Sequence, residues 1–119
     1  MLNQIILVGR LTRDVKINET ENGKKIATLP LAIPRSFKNM DGLYDTDFVD
    51  CILWDNVALN TSEYCHKGDI VGIKGRVQSR TLEENDTKKN ILEVVAEKVT
   101  FLTNKPKDLN AEEETEAEE

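Results

Sequence analysis

The sequence predicts an all-β fold, a small barrel of five strands with one short helix. Three observations carry the prediction. Apolar, β-branched segments of strand length recur along residues 1 to 104, each closed by turn-forming residues. One stretch, Val57 to Lys67, repeats its apolar residues at helical spacing. That stretch follows three strand segments and precedes two, and there is no internal repeat.

Gln4 to Leu11 is the first strand, with Gly9 inside it where a bulge or sharp bend is expected. Glu21 to Lys24 holds an Asn-Gly turn signal. Lys25 to Ile33 is the second strand, and Pro34 is expected to limit ladder pairing at its end. Asn39 to Gly42 is another turn or loop. Asp47 to Trp54 is the third strand. Its Phe48, Cys51 and Leu53 fit only partly to one face, as suits a strand curling round a small barrel. In the helix, Val57, Ala58, Thr61 and Cys65 share one rough face, and Gly68 supplies the stop. Asp69 to Leu82 is the fourth strand, Glu83 to Lys89 a polar loop, and Asn90 to Leu102 the fifth strand. Five strands with a helix between strands 3 and 4 is the layout of an OB-fold barrel. The alternative is a generic small β-barrel.

A chain of 119 residues has room for one domain and needs neither disulfide nor metal to fold. The net charge of −6 argues against simple bulk attraction to nucleic acid or anionic membrane. The charge is uneven, however. Lys105 to Glu119 carries seven acidic and two basic residues, which leaves residues 1–104 close to neutral. The expected organisation is therefore a domain over 1–104 and an acidic, disordered tail over 105–119. No apolar run is long enough to span a bilayer and no signal peptide opens the chain, so a soluble, cytoplasmic protein is expected. Cys51 and Cys65 read as reduced, mostly buried thiols. Enzymatic chemistry finds no foothold. There is a single histidine, His66, and no P-loop or dinucleotide fingerprint. Cys51, Cys65 and His66 lack the paired spacing of a zinc site, so neither metal nor cofactor is expected.

Several segments, taken in order, carry a family resemblance. The opening M-L-N-Q-I-I-L-V-G-R-L-T-R-D is followed by N-G beside A-T-L-P-L-A, then R-S-F and D-F-V-D-C-I-L-W. K-G-D-I-V-G-I-K-G-R-V-Q-S-R and L-E-V-V-A-E-K-V-T-F-L complete the set. Together they resemble bacterial and phage-type single-stranded-DNA-binding proteins over residues 1 to about 103, in register. The resemblance implies an OB fold that binds single-stranded DNA without strong sequence preference. It also implies a homotetramer whose dimers pair partly through the first strand, and work in replication, recombination and repair in a bacterial cell or phage host.

A single strand exposes phosphate charge and the flat faces of bases, so binding needs cations along a groove and rings standing out from a sheet. Of six aromatics, the resemblance puts Phe37, Phe48 and Trp54 at the stacking positions. Phe48 and Trp54 are six apart on one strand, which places both on one face if no bulge intervenes. Tyr44 belongs to a loop, where it either stacks or is simply exposed. Tyr64 and Phe101 are assigned to core or interface. The phosphate-binding candidates are Arg10, Arg35, Lys67, Lys74, Arg76 and Arg80, of which Lys74, Arg76 and Arg80 alternate on one strand face as a ladder.

The chain departs from the family pattern in three places. Leu82 stands where many relatives carry an aromatic. Asp55-Asn56 follows Trp54 where relatives often carry basic residues, which should weaken phosphate binding and flatten its salt dependence. The tail ends Glu-Ala-Glu-Glu, without the proline and aromatic that usually close a partner-recruiting tail. Its shortness points to a phage-borne, mobile-element or specialised paralogue. The tail is expected to compete with DNA for the basic groove. Replication or recombination proteins are the partners implied. The competing functional classes are an OB-fold protein-interaction module and an RNA-binding module.

Overall fold

The structure, a computed structural model, describes residues 1–103. The expected boundary at 104 and the tail of 105–119 lie outside the described residues. The elements are β1 (Ile5–Leu11), β2 (Ile17–Glu19), β3 (Lys25–Lys38), β4 (Tyr44–Trp54), α1 (Asp55–Tyr64), β5 (Ile70–Glu84) and β6 (Thr87–Phe101). The sheet order is β1-β5-β6-β4-β3-β2, and a further β1–β3 pairing closes it. Five strands thus form a closed barrel, with β2 as a three-residue edge strand on β3. Counted along the chain without β2, α1 lies between the third and fourth barrel strands. This is the expected OB-fold arrangement.

Closure depends on β1 changing partner. It pairs with β5 from Ile5 to Arg10, then reaches β3 through Arg10 opposite Ala32 and Leu11 opposite Leu31. Gly9 stands where the strands converge. A Cβ there would lie 2.8 Å from Ile33 Cγ1 and 2.9 Å from the Ala32 carbonyl oxygen. The sharp bend expected at this glycine is therefore a close backbone approach.

Strand alternation builds the core. Ala27, Leu29 and Leu31 of β3, Cys51 and Leu53 of β4, and Val71 and Ile73 of β5 are buried together with Leu11. Ala58 and Thr61 of α1, with Cys65 just beyond it, close one end. Burial pushes the Cys65 thiol up to about 12 and the Cys51 thiol up to about 11. Both cysteines are free.

Four expectations are corrected. The helix is set two residues earlier at its start and three at its end, because Cys65 turns to extended geometry and sinks into the core. Its first residue, Asp55, has φ +50°, a left-handed conformation that Asp tolerates. The second strand runs past Pro34 to Lys38, since β1 has already left that edge and Pro34 interrupts no ladder there. The fourth and fifth strands continue through the polar segment and turn at Asn85-Asp86 alone, both with positive φ. Finally, β2 is a strand that the sequence pattern does not predict. Three residues are too few to show a period.

Candidate nucleic-acid interface

The outer surface of the barrel can be read from register, because residues paired across neighbouring strands point to the same side. On β4, Val49, Cys51 and Leu53 turn inward, so Phe48, Asp50, Ile52 and Trp54 turn outward. Phe48 is 74% exposed. Trp54 is half-buried, packed where β4 runs straight into α1. No bulge intervenes between them on β4, and the predicted common face is present.

Tyr44 belongs to this row as well. The register of β3 and β4 shifts between Pro34 and Lys38, with the extra residues on the β3 side, so β4 stays regular from Tyr44 to Trp54. Tyr44 is therefore a strand residue on the side of Phe48, rather than a loop residue. It is 57% exposed, and the Lys38 ammonium lies 5.8 Å from its ring centre. Phe37, 64% exposed, sits within the irregular stretch of β3 near these rings in sequence. Tyr64 and Phe101 pack against each other with ring centres 5.9 Å apart. Phe101 leans on the core while Tyr64 is half exposed.

Three cross-strand rows carry the outer face round the barrel. Arg10 pairs with Ala32, which pairs with Phe48. Asn18 pairs with Ile26, which pairs with Trp54. Thr28 pairs with Ile52, Ile52 with Val95, and Val95 with Arg76. The rings thus lie midway on a continuous surface, with β5 on one flank and β2 on the other.

The expected cation ladder exists on the β5 flank, since the one-residue bulge there falls on β6 at Glu97. The structure adds what the sequence hides, namely carboxylates on the facing strand. Arg76 pairs with Glu97 at 3.3 Å, and Arg80 pairs with Glu93. Glu93 also accepts a hydrogen bond from Gln78 at 3.0 Å, and the Arg80 and Gln78 bonds hold its carboxyl below the usual carboxylate range. Leu82 follows Arg80 outward on the same strand. Lys74, exposed, makes no ion pair among the described residues and faces Lys98 across the ladder.

Arg35 is held similarly. Its guanidinium donates Nη2–H to Asp47 Oδ1 at 2.9 Å and Nε–H to Oδ2 at 3.2 Å, with Asp45 3.8 Å from Nη1. The Arg35 hydrogen bond keeps the Asp47 carboxyl low, and Asp47 in turn raises Arg35. Arg10 donates Nη1–H to the Gly68 carbonyl at 2.7 Å. Lys67, next to that glycine in the chain, donates its backbone N–H to Asp14 Oδ1 at 2.7 Å and leaves its ammonium exposed.

Asp55, an apparent loss of cation beside Trp54, has a structural task. Its Oδ1 accepts the backbone N–H of Lys25 at 3.2 Å, tying the β4–α1 corner to the start of β3. Two cations had no signal in the sequence. Arg13 and Lys16 lie in the irregular segment before β2, where no strand period marks a face. With Asp14, Asn18, Thr28 and Lys67 they line a cleft of about 570 Å³.

Comparison with known proteins agrees with this geometry. A family model, described as the single-strand binding protein family, matches residues 2–102. The chain is 43% identical over 113 residues to single-stranded DNA-binding protein B of Bacillus subtilis, covering 94% of this chain and 100% of that protein. It is likewise 43% identical over 113 residues to single-stranded DNA-binding protein 2 of Listeria monocytogenes, covering 94% and 69% respectively. Among solved structures, the Plasmodium falciparum SSB complex with ssDNA superposes with a TM-score of 0.73 at 28% identity, over 86% of this chain and 96% of that one. This chain belongs to the single-strand binding protein family.

Proposed function

We infer that the chain binds single-stranded DNA, tolerant of sequence, by stacking bases on Phe37, Phe48 and Trp54. Arg10, Arg35, Lys67, Lys74, Arg76 and Arg80 receive phosphates. The observation that carries this is the row of Tyr44, Phe48 and Trp54 standing out from the outer face of β4 with core residues alternating behind them. An exposed ring buries its face when a base stacks, and every base has such a face, which is why sequence matters little. The task is protection of exposed strands, with no bond made or broken. Replication, recombination and repair are the settings this suits, in the cytoplasm of a bacterial cell or phage host. No described helix is long and apolar enough to cross a membrane.

The reading extends to assembly. Ile6 and Val8 face outward on β1, and Leu102 lies beside them over Gly72. This exposed apolar strip favours pairing of copies through β1 and supports the homotetramer. The acidic residues of 105–119 compete with DNA for the cations, so a chain cut after Asn104 binds DNA more tightly at low salt.

The test is titration of the protein with oligo(dT) and oligo(U), read by Trp54 fluorescence and by particle mass. Quenching by oligo(dT), with preference over oligo(U), supports the reading. No quenching and no mass shift at low salt overturns it. Equal affinity for oligo(U) moves the assignment to nucleic acid of either sugar.

A further inference from the structure

We propose that the cleft between the β1–β2 segment and the turn after α1 is a second phosphate site, holding the DNA backbone where it leaves the stacking rings. The proposal rests on the function inferred above and adds a path for the strand. Three cations, Arg13, Lys16 and Lys67, converge on the cleft with a single carboxylate, Asp14. Asp14 is already engaged, since its Oδ1 accepts the Lys67 backbone N–H. Asn18 and Thr28 add neutral hydrogen-bonding groups to the lining.

The contrast with three arginines elsewhere on the surface singles the cleft out. Arg35, Arg76 and Arg80 each have a carboxylate partner, on Asp47, Glu97 and Glu93. Arg13, Lys16 and Lys67 have none among the described residues. A phosphate approaching the arginines must displace a carboxylate, whereas one entering the cleft meets unpaired charge. An anion is therefore held more readily in the cleft than at Arg35, Arg76 or Arg80.

Position makes the ligand a polyanion that also reaches the rings. Lys16 and Asn18 alternate outward with Val15 and Ile17, which turn inward. Asn18 shares a cross-strand row with Ile26 and Trp54, and Thr28 pairs with Ile52. Two strand spacings, about 10 Å, separate the Asn18 and Trp54 positions on the same outer face. A strand stacked on Trp54 crosses that distance in a few nucleotides. The cleft therefore completes the interface on the β2 flank, opposite the paired arginines.

The test compares wild type with the Arg13→Gln/Lys16→Gln variant. Both side chains are exposed, so folding should be unaffected, and a thermal melt checks it. Oligo(dT) of about 5 nucleotides covers the rings alone, and about 15 nucleotides extends into the cleft, within the span of one OB domain. The expected result is unchanged Trp54 quenching by the short oligonucleotide. With the long one, the variant should bind roughly three- to tenfold more weakly at low salt. Its log–log salt slope should flatten by about 1.4, because two fewer phosphates are neutralised. The same affinity and slope as wild type with the long oligonucleotide overturns the proposal. So does an equal weakening in a Lys24→Gln/Lys98→Gln control, which removes the same charge outside the cleft. A wild type that quenches with neither length sinks the parent reading and the cleft with it. A binding wild type with an insensitive variant sinks the cleft alone.

Discussion

Arg35 and Asp47 face each other across the β3–β4 ribbon, with Nη2 of the arginine 2.9 Å from Oδ1 of the aspartate. In the free protein this pairing cancels a cation on the side of the ribbon opposite Tyr44 and Phe48. Asp47→Asn should release it. The expected outcome is a few-fold tighter oligo(dT) binding at low salt and a log–log salt slope steeper by about 0.7, one added phosphate contact on a single strand. Solvent screens this exposed pair and it adds little to folding, so the melting temperature should hardly move. Fluorescence titrations across a salt series check both quantities. Weaker binding would mean that the carboxylate orients Arg35 rather than masking it.

Exposure separates the roles of neighbouring residues on β4. Phe48→Ala removes a ring that is 74% exposed and should leave stability nearly intact. It should weaken oligo(dT) binding by about 1–3 kcal/mol, roughly five- to 150-fold. Leu53→Ala, further along the same strand and fully buried, should do the reverse. It is expected to cost about 2–5 kcal/mol of stability in urea unfolding while its folded fraction binds normally.

Gly75 marks the bulge at which β6 gains its extra residue, and a Cβ there would collide with the Val95 backbone carbonyl. Gly75→Ala should therefore destabilise by about 1–3 kcal/mol, since backbone rather than a flexible side chain must move. Gly72→Ala is the comparison. Its Cβ would meet Val8 Cγ2 at 3.6 Å and Leu102 Cδ1 at 3.7 Å, ordinary contacts, and stability should stay close to wild type. Parallel urea melts of the two variants give the answer.

Acid should act through Asp47 and Glu93, both held low by their arginine partners, with Gln78 assisting at Glu93. A carboxylate with a lowered pKa in the folded state favours folding above the unfolded value, about 4. That contribution is lost as pH falls through the lower, folded value. The melting temperature should therefore be insensitive to these pairs from about pH 8 to 5 and fall below about pH 4. An Asp47→Asn/Glu93→Gln variant should show a shallower acid decline. Thermal melts over a pH series measure it, and identical acid limbs would remove the assignment.

Much of the architecture was legible because it depends on short-range pattern. Alternation over Asp47 to Trp54 is enough to put Phe48 and Trp54 on one face, and the structure keeps β4 regular between them. The apolar stripe of Val57, Ala58, Thr61 and Cys65 is likewise the face that meets the barrel end. The ends of elements were less legible. The extensions of β5 and β6 towards Asn85-Asp86 are polar on both sides, so backbone pairing rather than burial holds them and no hydrophobic period marks them.

By itself the sequence determined the order of the five barrel strands and the helix, and the inward and outward sides of the central strands. Each follows from the fixed periods of backbone geometry. Only tertiary structure decided the electrostatics. Register brings Glu93 and Glu97 of β6 against Arg80 and Arg76, and Asp47 against Arg35, while closure of the barrel gathers Arg13, Lys16 and Lys67 around one cleft. Charge partners are chosen by distance in space. Arg35 and Asp47 are 12 positions apart in the chain and Arg80 and Glu93 are 13 apart, so they come together only when strands pair.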